Sequence, residues 1–451
     1  MMNKLKFLTV DLPEDLKNTV YFGDFQKSQK LIDIYLKRNI PDILKQRLIF
    51  ERGRIERLKE DYDFTYESAL NYAQSKIKNF TKEELEFLKD ERYADWIYIN
   101  GKIMFHHRFL ENIVKVNSDF KSRLIQKEEN SSGSSLLNKT VKEIIEKGEK
   151  KYFIQVMAGI KLDKELSRIG ETVNVHLPIP RAARQIKDIK ILSTSHKAKY
   201  ISPLQYPQRT IFFEEKVKGG DTFFVEYSYE NHIKYVNPDP SKVSAYQPNF
   251  CTEEWPPHIR FTPFLVSLAK EIVGKETNPL LRARRIYDYI TENIQYSYMR
   301  QYAAITNIPE YCAYNQKGDC GVQAILFITL CRIIGIPAKW QSGLHVDPYS
   351  AGCHDWAEFY VEPYGWLFAD PSFGGGALRN NDKERWNFYF GNLDPFRMVA
   401  NSDFHYDFYP ERKFLRHDPY DNQVGEIEYS DRPLKSNEYK TFVKSVEVHE
   451  I

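Results

Sequence analysis

The chain of 451 residues lacks several features that would assign it a class at once. No run of apolar residues approaches the roughly 20 that a transmembrane helix needs. The opening stretch MMNKLKFLTVDLPEDLKNTV has no apolar segment of signal-peptide length, because charges interrupt it early. Charge of one sign is missing too. Basic and acidic side chains number 64 and 62, a net charge of +2 that offers nucleic acid or an anionic membrane no global attraction. The 5 cysteines contain no CxxC pair and no Cys/His group at zinc spacing, and their odd number does not suit a disulfide framework. A Gly-rich phosphate loop and an internal repeat are both absent. These absences lead us to expect a cytoplasmic globular protein of roughly three domains, with at least one free thiol. They call for no cofactor, no metal, no membrane and no nucleic-acid partner, and they leave the oligomeric state open.

The patterning changes along the chain. Residues 1–128 read as a mostly helical domain. TKEELEFLKDE sets Thr81 three places before Glu84, a capping box at a helix start. WIYINGKIMF carries Asn100-Gly101 between two β-prone runs, the signal of a short hairpin. His106 and His107 follow it; neighbours on a strand point to opposite faces, which speaks against a shared metal. NSSGSSLLN (130–138) reads as a linker. Over 140–237 the runs ETVNVHLPIP, IKDIKILSTS, RTIFFEEKV and DTFFVEYSYE predict an antiparallel β-sandwich. Residues 240–375 then mix helical segments with two β-runs, and 376–451 form an aromatic-rich extension expected to pack on that core. The acidic residues Asp418, Asp421 and Glu426 lack the spacing of a calcium loop.

The stretch GDCGVQAILFITLCRIIGIPA (318–338) carries the chemistry. Asp319 is a good N-cap, Gly335 followed by Ile336-Pro337 is a helix exit, and Cys320 falls in the first helical turn. There the free N–H groups and the helix dipole favour a thiolate and could hold an oxyanion. Cys331, on the apolar face with Ile325, Ile328 and Ile334, is structural. A nucleophilic cysteine needs a base. HDWAEFYVEPYGWLFADP (354–371) supplies His354 on a strand, with Trp356, Glu358 and Tyr360 on the same face, and Asp370 at the end of the returning strand. Asp370 is placed to accept from the second imidazole nitrogen. The pair share a face only if paired residue numbers sum to an even value, which requires an odd-length loop or a bulge around Pro363–Gly365. His345 with Asp347 is a rival base pair without the strand setting. Cys353 is expected to point away from His354, and Trp356 to shield the site or pack in the core.

These residues resemble the transglutaminase-like superfamily, with its papain-related core. The resemblance covers about 255–375 and rests on NPLLRARRIYDYITENIQYSY, the cysteine helix with its Gly-Ile-Pro-Ala exit, and the H-x-W-x-E strand ending in Asp-Pro. It implies a catalytic triad of Cys320, His354 and Asp370. The β-module, with LPIPRAARQ, is similar to the sandwich that precedes the core in many bacterial members. A side chain upstream is expected as second oxyanion donor, with Gln316, Tyr314, Gln295 and Tyr296 as candidates. The function expected is acyl transfer from an amide or peptide bond through a thioester. Water is favoured as acceptor over a primary amine (the transglutaminase reaction), and a silent binding module is the rival. The partner is a protein or peptide substrate. The fold class expected is therefore α+β and multidomain.

Overall fold

A computed structural model describes residues 5–126, 133–418 and 420–451. The fold is α+β, in two compact units. One comprises Met1–Asn130, Trp255–Arg260 and Ile294–Asp319; the other comprises Ser131–Glu254, Phe261–Asn293 and Cys320–Ile451. Among the described residues no helix is long and apolar enough to cross a membrane.

The first unit is built from helices, the longest described one Asp42–Asp61, with a small three-stranded sheet and a two-stranded one. Thr81 accepts from the Glu84 amide at 3.2 Å while the Glu84 carboxylate accepts from the Thr81 amide at 3.0 Å, so the capping box closes. Asn100 and Gly101 take φ values of +50° and +81° and turn Trp96–Ile99 back onto Lys102–Phe105 as an antiparallel hairpin. Residues 294–319, which the sequence pattern groups with the later core, cluster with these helices instead. Their allegiance has local causes. The Asn112 side chain donates to the Tyr298 carbonyl at 3.1 Å and accepts from its amide at 2.6 Å. Asp61 accepts from the Gln301 amide at 2.8 Å, and Ala304 joins the apolar cluster of Leu16, Ile32, Leu48 and Ile55.

The histidine pair departs from expectation as well. The strand ends at Phe105, so the His106 and His107 rings do not alternate but lie 4.4 Å apart, near Asp61. His106 Nδ1 accepts the Arg108 amide, which puts the ring hydrogen on Nε2. Only His107 and Asp61 then keep lone pairs, short of the three protein ligands of a zinc site.

In the second unit, Gly133–Lys147 is already helical where a linker is expected over 130–138; residues 130–132 lie outside the described residues. Six sandwich strands follow: β1 (Glu149–Leu162), β2 (Thr172–Pro178), β3 (Ile186–Thr194), β4 (Tyr200–Ile201), β5 (Thr210–Lys216) and β6 (Thr222–Lys234). The core then runs α1 (Pro263–Val273), α2 (Pro279–Asn293), α3 (Cys320–Ile333), β7 (Ala338–Val346), β8 (Ala351–Val361), β9 (Gly365–Ala369), α4 (Pro371–Arg379), β10 (Phe390–Gly391) and β11 (Arg397–Asn401). Its antiparallel sheet has the order β10-β9-β8-β7-β11. The last two strands, β12 (Glu426–Tyr429) and β13 (Tyr439–Glu450), are a departure from the expected extension packed on the core. They return to the sandwich, one per sheet, giving the orders β12-β2-β5-β4 and β13-β1-β6-β3. A row of unpaired backbone groups at a sheet edge is a strong template for such pairing, and β13 pairs with β1 from Tyr152 to Leu162.

Candidate active site

Cys320 is the first residue of α3. Residues Gly321–Cys331 are all buried, so this helix is enclosed on every side rather than along one apolar stripe. At its far end Gly335 has φ +79°, the Ile336 amide donates to the Cys331 carbonyl at 2.9 Å, and the Gly335 amide to the Arg332 carbonyl at 3.0 Å. That is a Schellman closure. The anticipated N-cap, Asp319, accepts from the Tyr302 hydroxyl at 2.6 Å.

β8 and β9 pair Val361 with Gly365 and Ala357 with Ala369. The paired numbers sum to an even value across a three-residue loop, so His354 and Asp370 share a face. They meet: His354 Nε2 lies 2.7 Å from Asp370 Oδ2, with Asp370 fully enclosed. Asp370 also caps α4 by accepting from the Phe373 amide at 3.0 Å. Opposite His354 stands Gly343 of β7, where a Cβ would run into the Met398 carbonyl of β11. Only glycine lets the three strands close there.

Behind the pair lies a buried network. Arg397, with 0% exposure, forms an ion pair with Asp370 at 2.9 Å and another with Asp394 at 2.5 Å. Its guanidinium rests over Phe373 at 4.4 Å and Trp356 at 5.3 Å. Burial pushes the Asp370 carboxyl up, but His354 and Arg397 outweigh it and hold it below its ordinary range. Burial also drives His354 down to about 4; Asp370 opposes that shift and Arg397 adds to it. His354 is therefore a neutral imidazole at neutral pH. Its Nε2–H donates to Asp370, which leaves the lone pair on Nδ1.

Cys320 has a different partner. Its thiol donates to Asp355 Oδ2 at 3.4 Å. Of the three expected residues, the structure joins His354 to Asp370 and bonds Cys320 to the neighbour of His354. Trp356 is fully buried, its indole N–H donating to Gln341 Oε1 at 2.9 Å, so it packs behind His354 in the sheet. Gln295, Tyr296, Tyr314 and Gln316 all fall in the first unit. Gln295 and Tyr296 form a parallel bridge with Lys317 and Gly318, Gln316 ends a helix with φ +50°, and Tyr314 is 63% exposed.

The profile of the transglutaminase-like superfamily matches residues 266–371. Those residues are a transglutaminase-like domain. An uncharacterised Haemophilus influenzae protein is 23% identical over 218 residues, 41% of this chain and 58% of that one. The chain thus spans less than two thirds of that relative's length. Among solved structures, a candidate cysteine protease of Cytophaga hutchinsonii is similar with 13% identity and a TM-score of 0.35, over 67% of this chain and 90% of that one. The periplasmic domain of TgpA from Pseudomonas aeruginosa gives 14% and 0.28, over 55% and 95%.

Two residues that reach this site from beyond residue 371 escape a reading of the sequence. Arg397 sits in the apolar run FRMVA, and a charge in such a run demands a buried partner; that signal was available, though not the partner's identity. Gln423 has no such signal. It lies in a stretch without helix or strand, and donates to Asp355 Oδ1 at 2.7 Å and to the His354 carbonyl at 3.2 Å.

Proposed function

We propose that this protein is a cysteine-dependent acyl-transfer enzyme acting on an amide or peptide bond, with water as the favoured acceptor of the thioester. The observation that carries this reading is the enclosed 2.7 Å pair of His354 and Asp370, in a domain whose helix begins with Cys320. The Cys320 proton passes to His354 Nδ1 as Sγ attacks the carbonyl carbon. Asp370, ionised throughout, steadies the imidazolium. Amide N–H groups at the start of α3 receive the oxyanion. The C–N bond then breaks, the imidazolium returns its proton to the leaving amine, and the acyl group stays on sulfur. Water, deprotonated by His354, releases the acid; a primary amine in its place would give transamidation. A neutral resting His354 makes it a general base from the outset, in place of a standing thiolate–imidazolium pair.

The test is product analysis by mass spectrometry on a peptide library, with and without a primary amine, for the wild type and Cys320→Ala. Cleavage products that vanish in the variant are expected; turnover or probe labelling retained without Cys320 would sink the assignment. A second reading, a silent binding module on this scaffold, draws on the bond from Cys320 to Asp355. It predicts no product from either protein.

A further inference from the structure

Asp355 occupies the position beside the proposed base, paired across the sheet with Ser342, and is only 3% exposed. Its two oxygens are used differently. Oδ1 accepts from Gln423 Nε2 at 2.7 Å, and Oδ2 accepts from the Cys320 thiol at 3.4 Å. With the thiol as donor and the carboxylate oxygen as acceptor, the proton of this contact sits on sulfur. A thiolate at the same place would face the Asp355 carboxylate at 3.4 Å, which opposes the pull of the amide groups at the start of α3. Asp418 and Asp421 approach from the C-terminal segment; burial, Asp418 and Asp355 together push the Asp421 carboxyl well up. The neighbouring His354 is neutral, and the nearby Arg416 is engaged with Glu426 at 3.1 Å.

We propose that Asp355 is a positioning residue that holds Cys320 as a protonated thiol, and that Gln423 sets the strength of that hold from the C-terminal segment. Its catalytic meaning rests on the function proposed above: the thiol must turn from Asp355 to His354 Nδ1 before it attacks. No bond other than the hydrogen bond changes in the hold itself. The proton stays on sulfur until His354 takes it. Gln423 opposes the hold, because its donated hydrogen bond satisfies part of the carboxylate's charge.

The experiment is peptide-resolved alkylation of Cys320 by iodoacetamide in the full chain, followed across pH. In Asp355→Asn the like charge is gone, so the profile should move about one pH unit down and the rate on its lower limb rise roughly ten-fold. In Gln423→Leu the carboxylate loses its donor, so the rate should fall roughly three-fold. No shift, or an upward shift, in Asp355→Asn would overturn the proposal, as would Gln423→Leu moving in the same direction as Asp355→Asn. Cys312 and Cys331 are fully buried and report unfolding. If Asp355→Asn exposes them, the Gln423→Leu profile alone decides: a fall supports the hold and any other result overturns it. Alkylation needs no turnover, so the two readings fail separately. Shifted profiles with no products leave the hold and remove the enzyme; products with unshifted profiles do the reverse.

Discussion

Consecutive residues of β8 meet buried charge in opposite ways. On the side of His354, Trp356 and Glu358, carboxylates are answered by cations. Asp370 and Asp394 share Arg397, and Glu358 has Arg184 at 3.1 Å and Lys339 at 3.3 Å. On the side of Asp355, the carboxylate is answered by neutral donors, an amide at 2.7 Å and a thiol at 3.4 Å. The first arrangement is rigid, because removing one member strands a buried charge. The second can be released at small cost, since a thiol is a weak donor. A base must stay in register through a reaction, whereas a nucleophile has to move onto its target. The contrast fits the division of labour proposed for His354 and Cys320.

The contrast breaks most visibly if Asp370 can be neutralised without consequence. Under the proposed mechanism Asp370→Asn removes the charge that steadies the imidazolium and disturbs the tautomer that leaves Nδ1 free. Initial rates on a cleaved peptide should fall by roughly 10³- to 10⁴-fold. A rate within ten-fold of wild type would show that the pair is structural only.

Arg397→Met tests the rigidity itself. It leaves Asp370 and Asp394 buried without their shared cation, so urea unfolding should lose about 3–5 kcal/mol. An unchanged unfolding midpoint would mean that water or local rearrangement replaces Arg397 freely.

Acid should act next. His354 falls from an ordinary 6.5 to about 4 in the folded chain, so the unfolded chain binds its proton more readily. Stability from this group is complete above about pH 6.5 and is lost as pH falls towards about 4, by roughly 3 kcal/mol in all. Unfolding midpoints over that window should drop less steeply in His354→Gln than in the wild type. Equal slopes would place the acid sensitivity elsewhere, for example in His176 or His405, which burial also holds low.

What the sequence discloses about this arrangement depends on range. The capping box at Thr81, the Asn100-Gly101 hairpin, the exit of α3 at Gly335 and the register condition linking His354 to Asp370 rest on residues close in the chain. Local backbone rules reach that far. The allegiance of residues 294–319 depends on Asn112 and Asp61, some 190 and 240 positions away. The return of β12 and β13 to the sandwich is as distant, and the reach of Gln423 to Asp355 still crosses 68 positions; both are made by segments with little periodicity. Burial all round α3 likewise hides which of its neighbours each face meets.

The smallest effect concerns the rival histidine. His345 has Asp347 two places on in the chain, whereas His354 meets Asp370 from the next strand, and the distances differ: Nδ1 of His345 is 4.0 Å from Asp347, and its Nε2 is 3.6 Å from Asp394. Asp347 is occupied in its own turn, accepting from the Tyr349 and Ser350 amides at 2.8 Å. The ring sits between Phe373 at 5.2 Å and Phe396 at 5.9 Å, next to the Asp394 end of the network and not the Asp370 end. His345→Gln keeps a polar side chain near Asp394, so peptide turnover should change by less than about ten-fold. His354→Gln, measured alongside, should abolish it. Loss of turnover in His345→Gln with unfolding unchanged would move the proton-transfer role across the sheet and undo the contrast between the two sides of β8.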